Sequence, residues 1–256
     1  MTLSTTLSQW DCLLKNLGCW QGSFTRISPN GEFIEDIPSE TILAGGNENK
    51  AIRQTIRQFY PSGTQERNLE YSSLARSVLF FSNGAFSQGS IQLGFNSEFG
   101  AELGLIYGNS RRRLVQLFNQ KGELDRLTYI RENLEAKEPT LSQDISWEKL
   151  QGKWQCEVLT LYPDWRSPDQ FTTETRWENQ TRISTIGNKL EGNIKVLFLP
   201  DGVASVCPTQ TKLRRPVTLE VLWLVKPNIY HQMIRHYDER GGWVSLTLAI
   251  ASRILP

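Results

Sequence analysis

With 256 residues the chain is long enough for two domains of ordinary size, each able to bury its own core. Its 28 basic and 27 acidic residues give a net charge of +1, spread evenly: 14 against 15 in residues 1–140, 14 against 12 in residues 141–256. That balance argues against a nucleic-acid partner, four cysteines without a CxxC pair and only two histidines argue against a metal site, and no apolar run reaches the length of a membrane span.

Along the chain, residues 1–8 lack the basic and apolar regions of a leader, so a cytoplasmic location with free thiols is expected. Residues 8–17 read as a short helix opened by Ser8 and Asp11 as capping residues. Gly18-Cys19-Trp20 follows, and strand patterns take over, with Asn30-Gly31 as a turn. Thr55–Tyr60 reads as a strand between the turn chemistries of Gly45–Asn49 and Pro61-Ser62-Gly63. Arg111-Arg112-Arg113 reads most simply as a solvated turn entering a strand. Residues 142–150 repeat the helix signal, with Ser146 as its cap, ahead of Gly152-Lys153-Trp154. Strands are then expected over 195–199, 219–225 and 230–237, punctuated by Gly187-Asn188, Asp201-Gly202 and Gly241-Gly242.

The two halves are copies of one another. Sliding residues 7–41 by 134 positions gives ten identities in thirty-five, among them Gly18, Trp20, Gln21, Glu40 and Thr41 against Gly152, Trp154, Gln155, Glu174 and Thr175, where unrelated segments would give about two. Further on the offset falls to 118, pairing Val78-Leu79-Phe80 with Val196-Leu197-Phe198 and Glu102 with Glu220, and then to 119 in the last hairpin. The first copy therefore carries about sixteen extra residues between Thr41 and Val78, expected as an enlarged loop. Glu102 and Glu220 read either as duplicated buried carboxylates or as strand-surface charges.

A short helix leading into Gly-x-Trp and an up-and-down meander of 110 to 130 residues resembles the lipocalin end of the calycin superfamily, and both copies carry the signature. The doubled arrangement is similar to a cyanobacterial and plastid family of two-domain calycin-like proteins without assigned function. More distantly it resembles the S- and T-type phycobiliprotein lyases, single barrels that hold an open-chain tetrapyrrole and deliver it to a cysteine of an antenna protein. The expected fold is all-β: two tandem up-and-down antiparallel β-barrels, residues 1–139 and 140–256, with a boundary near Glu138-Pro139-Thr140 and each barrel closed to remove its edges. The resemblance also implies an arginine after the last strand covering the barrel-floor tryptophan, for which Arg131 and Arg253 are candidates that do not align with each other.

Alternation over 230–237 puts His231, Met233, Arg235 and Tyr237 on one face and Gln232, Ile234 and His236 on the other. Arg235 with Tyr237 looks like the pair that grips a ligand carboxylate in fatty-acid-binding barrels, a guanidinium fork completed by a phenol; the alternative is an ordinary surface charge. Trp223 is the aromatic expected to share a cavity with Arg235, which makes the second barrel the first place to look. Arg53 and Arg57 share a strand face in the first copy, either solvated or turned inward to bind carboxylates. No nucleophile elbow, phosphate loop, dinucleotide fingerprint or triad is present, so no catalytic residues are assigned. Three functions stay open: binding of a small amphipathic or hydrophobic ligand such as a tetrapyrrole, pigment or fatty acid; a bilin lyase, with a bilin as cargo and an antenna protein as partner; and a structural module whose barrels are filled by side chains.

Overall fold

The computed structural model describes residues 7–135, 137 and 143–254, so the expected boundary at 138–140 lies outside the described residues. The first half runs α1 (Gln9–Leu14), β1 (Gly18–Ile27), β2 (Phe33–Gly46), β3 (Ala51–Tyr60), β4 (Gly63–Tyr71), β5 (Val78–Phe80), β6 (Phe86–Gly89), β7 (Phe99–Tyr107), β8 (Ser110–Phe118) and β9 (Leu124–Leu134). The second runs α2 (Trp147–Leu150), β10 (Gly152–Leu161), β11 (Asp169–Glu178), β12 (Thr181–Ile183), β13 (Ile194–Leu199), β14 (Val203–Pro208), β15 (Val217–Lys226), β16 (Ile229–Tyr237) and β17 (Trp243–Arg253).

Each half is one antiparallel meander in which the first strand returns to pair with the last, β1 with β9 and β10 with β17, giving a nine-stranded and an eight-stranded sheet. The sheets curl into half-barrels rather than closing: β4 and β5 are the edges of one, β12 and β13 of the other. The duplication is exact in register where the sequences match. Trp20 pairs with Thr41 as Trp154 pairs with Thr175, and the two indole N–H groups donate to equivalent helix-end carbonyls, Asn16 at 2.9 Å and Leu150 at 2.7 Å. Both helices are capped as expected, α1 by a reciprocal box of Ser8 and Asp11 and α2 by Ser146.

The extra residues of the first copy are strand, not loop. They make the long hairpin of β3 and β4, paired from Ile52–Tyr71 to Tyr60–Gly63, whereas the second copy has only the three-residue β12. The turn ahead of β3 places Asn47, Glu48 and Asn49 in the left-handed region. Asparagine tolerates that conformation by bonding locally, which is why a cluster of turn residues could still launch a regular strand.

The largest apolar cluster lies between the two sheets. Phe99, Leu103, Leu105, Leu114 and Phe118 from β7 and β8 meet Leu219, Val221, Trp223, Met233 and Tyr237 from β15 and β16. These strands are therefore buried on both faces, inward within their own half-barrel and outward against the other.

Candidate functional site

The inward face of the first half-barrel encloses a cavity of about 780 Å³, within the roughly 300–1,000 Å³ of typical ligand sites. Alternation sorts its lining by depth. On β1, Phe24 and Arg26 point in, with Trp20 six residues below Arg26; on β3, Gln54, Ile56 and Gln58 point in, while Arg53, Thr55 and Arg57 point out. The middle is apolar, built from Phe24, Ile37, Ile56, Leu69, Val115 and Ile130. Three exposed arginines line the cavity: Arg26 and Arg126 toward the mouth, and Arg67 on the edge strand β4, level with Ile56. Arg26 is paired with Glu35, but among the described residues Arg67 and Arg126 have no carboxylate partner.

At the floor lies a cluster of buried charges. Glu132 accepts from Arg111 at 2.7 Å and from both Nε and Nη2 of Arg113 at 2.9 and 2.8 Å, and Arg113 also donates to Glu102 at 2.7 Å. Burial alone would push the Glu132 carboxyl up, but Arg111 and Arg113 outweigh it and hold it at about 2. Burial pulls the Arg111 guanidinium down from its ordinary value, yet a base this strong stays charged at any working pH. Two arginines against two glutamates leave the floor neutral.

The arginine run at 111–113 is thus almost wholly buried, not a solvated turn. Arg111 and Arg113 face the cavity, while Arg112 points between the sheets, donating to the carbonyls of Arg111 and Glu132 with its guanidinium 5.3 Å from the Trp223 ring. Arg111 also covers the floor tryptophan, 4.3 Å from the centroid of Trp20. In the second half Arg253 does this for Trp154 at 4.2 Å, as the resemblance implied, but Arg131 does not do it for Trp20: it lies on the outer face, bonded to Ser23 and Asp36.

None of the six residues singled out as ligand-binding lines the 780 Å³ cavity. Arg235 and Tyr237 do meet, Nε to hydroxyl at 2.7 Å, but on the outward face of β16. There the guanidinium lies 3.5 Å from the Trp243 ring and donates to the Ser77 and Ser90 carbonyls and the Ser87 hydroxyl, all in the first half. The pair clamps the two halves together. Trp223 and Met233 are buried in the same seam, so Trp223 and Arg235 share a face of their sheet but that face is not the barrel interior. Arg53 and Arg57 lie outside the first barrel, ion-paired with Glu70 at 3.7 Å and with Glu40 and Glu66 at 2.7 Å each. Period two shows which residues share a face but not which face looks inward: on β15 and β16 both faces are buried, and on β3 the face of Arg53 and Arg57 is the solvated one.

The second half-barrel is filled. Residues 184–192, between β12 and β13, fold inward so that Ile186 and Leu190 pack on Trp154, Trp177 and Tyr230. Glu220, the counterpart of Glu102, holds them there: it accepts from the Asn188 backbone N–H, from Arg182 at 2.8 and 3.0 Å, and from Gln232 at 2.7 Å. Both members of the matched pair are turned inward against an arginine, the buried-carboxylate alternative rather than the surface one.

A family model described as the N-terminal part of a domain of unknown function, DUF3598, matches residues 6–137. A second, described as the C-terminal domain of a biogenesis factor required for ATP synthase 1, matches residues 141–191 and 178–254. A crystal structure of a DUF3598 protein of unknown function from Nostoc punctiforme PCC 73102 is 37% identical, with 97% of this chain and 100% of that one covered and a TM-score of 0.89. The chain belongs to the DUF3598 family. The S-type phycobiliprotein lyase of Guillardia theta is far more distant from this DUF3598 protein, 8% identical over 98% and 95% of the two chains with a TM-score of 0.22. No curated protein matches it. Among the described residues no helix is long and apolar enough to cross a membrane.

Proposed function

We propose that this DUF3598 protein binds one small amphipathic molecule carrying an anionic group, in its first half-barrel. The observation that carries the reading is the pairing of an apolar belt inside a 780 Å³ cavity with Arg67 on its edge strand and Arg126 near its mouth, two guanidinium groups without a carboxylate partner among the described residues. Apolar walls supply the affinity for a hydrophobic body, and fork-shaped donors suit a carboxylate at its end. Tetrapyrroles, acidic pigments and fatty acids all have that form. The second half-barrel, filled by residues 184–192, serves as support and not as a second site.

Titrating the full chain with biliverdin, haem and palmitate, read by tryptophan fluorescence and calorimetry, tests this. One of them is expected to saturate at one molecule per chain, and the double variant Arg67→Gln/Arg126→Gln to weaken that binding by tenfold or more, since bonds to charged groups are each worth about 1.5–3 kcal/mol. Failure of all three to bind, or binding untouched by the arginine substitutions, rejects the reading. The lyase alternative adds a transfer step, so a bound bilin should then pass faster to an apo antenna subunit than free bilin does.

A further inference from the structure

Below the apolar belt a second space of about 70 Å³ adjoins the main cavity, sharing Gln54, Gln88 and Arg113 as walls. Thr41 lines it, 1% exposed, and its hydroxyl has no hydrogen-bond partner. Gln54 accepts from the Tyr71 hydroxyl at 3.3 Å through its carbonyl, and its amide N–H groups have no acceptor among the described residues. A buried hydroxyl with no partner is a cost the fold bears until something bonds to it.

The charges beside this space are already balanced. Glu132 is taken by Arg111 and Arg113, and Glu102 by Arg113 and by Gln88 at 2.8 Å. A second anion would find no spare cation here, whereas a neutral group that both donates and accepts would suit Thr41 and Gln54. Arg26 near the mouth is six residues along β1 from Trp20, the cross-strand partner of Thr41, a span of roughly 20 Å at about 3.3 Å per residue, and Arg126 lies two residues beyond Thr128, the partner of Arg26 on β9.

From this geometry we propose that the ligand is polar at both ends: an anionic group near Arg126, an apolar body, and a neutral hydroxyl or carbonyl seated against Thr41 and Gln54. The proposal rests on the first half-barrel being a ligand site and adds the chemistry of the ligand's far end. Its recognition is that of an ω-hydroxylated or ω-oxo acid, or of a longer pigment with the same disposition of groups.

Calorimetry on the full chain with palmitate and with 16-hydroxypalmitate separates the two levels. The hydroxylated acid is expected to bind about three- to tenfold more tightly, the worth of one neutral hydrogen bond, and Thr41→Val to abolish the difference while leaving palmitate affinity in place. Valine keeps the shape of threonine and removes the unpartnered hydroxyl, so the variant should fold at least as well; Gln54→Leu gives a second reading of the same end. If neither acid binds, this proposal is overturned, and the ligand-site reading falls with it only if biliverdin and haem also fail to bind. If both bind equally, the floor space holds water only and the proposal alone is overturned. A preference that survives both substitutions overturns it too.

Discussion

The two half-barrels start from the same strand, with the same tryptophan, the same cross-strand threonine and the same helix-end hydrogen bond, yet one encloses a cavity and the other is packed solid. The difference comes from one place. Where the first copy extends β3 and β4 into a wall, the second stops after the three residues of β12 and turns the following segment inward. A matched carboxylate then does opposite jobs: Glu102 bonds Arg113 and Gln88 on the cavity wall, and Glu220 fastens the inserted segment through Asn188 and Arg182. A duplicated barrel can therefore divide its work, one copy holding open space and the other giving a rigid surface to build against.

The largest test of this comparison is the buried charge in each floor. Glu132→Ala leaves Arg111 and Arg113 buried without their shared carboxylate, and Glu220→Ala does the same to Arg182; each should cost about 3–5 kcal/mol in urea unfolding. Only the second should also loosen the plug, exposing Trp177 to quenchers. A loss below about 1 kcal/mol in either variant breaks the assignment. Because the Glu132 carboxyl is held at about 2 against an ordinary 4.5, its contribution is complete above pH 4.5 and disappears as the pH falls toward 2.

A second acid transition should come from the seam instead of the floor. His231 is buried there against Tyr107, ring centroids 5.4 Å apart, and burial lowers it to about 4 from 6.5. The unfolded chain takes up this proton first as the pH falls, so stability is unaffected above 6.5 and declines between 6.5 and 4, by on the order of 3 kcal/mol at the lower end. In His231→Phe that stretch of the pH profile should be flat, leaving only the carboxylate loss at lower pH. An unchanged profile would show that His231 carries no such role.

Smaller again is the effect of emptying the plug. Ile186 and Leu190 are only partly buried, so the double change to alanine should cost about 2 kcal/mol, less than full burial would imply. It should also let the second half-barrel take up an apolar dye that the parent excludes there. Dye uptake unchanged by the substitution would mean the plug is not what fills the barrel.

The fold was largely legible because its signals are local and repeated. Gly18 with Trp20 and Gly152 with Trp154 marked the two first strands, and Asn30-Gly31, Asp201-Gly202 and Gly241-Gly242 all fall in connections between strands. The site was less so. The face holding Arg235 and Tyr237 was recognised as one face, but the packing of β16 against β7 sends it into the seam, and that contact is a property of two distant segments. Gln54, Ile56 and Gln58 were missed in favour of Arg53 and Arg57 on the same strand, because alternation separates the two faces without saying that the arginine face is the solvated one, paired with Glu40, Glu66 and Glu70. Arg111 and Arg113 were missed because a run of three cations reads as solvated until a carboxylate twenty residues away, Glu132, is brought across the hairpin between them. The sixteen extra residues carried one sign, since Thr55–Tyr60 within them already had strand character.

The smallest effect on stability should accompany the largest effect on binding, and this is where the two half-barrels part most sharply. Ile56 projects into the open cavity from β3, so Ile56→Trp adds bulk where there is room for it. Its cost in urea unfolding should stay within about 1 kcal/mol, below the 1–3 kcal/mol usual for overpacking a filled core. Binding of the probe that saturates the parent should nevertheless be lost, because the indole occupies the apolar middle of the site, level with its cross-strand partners Thr41 and Arg67. The matching enlargement in the plugged copy, Val206→Trp at a fully buried position, should pay the overpacking cost and leave binding unchanged. If Ile56→Trp binds as the parent does while Val206→Trp does not, the ligand sits in the second half-barrel, and the comparison is reversed.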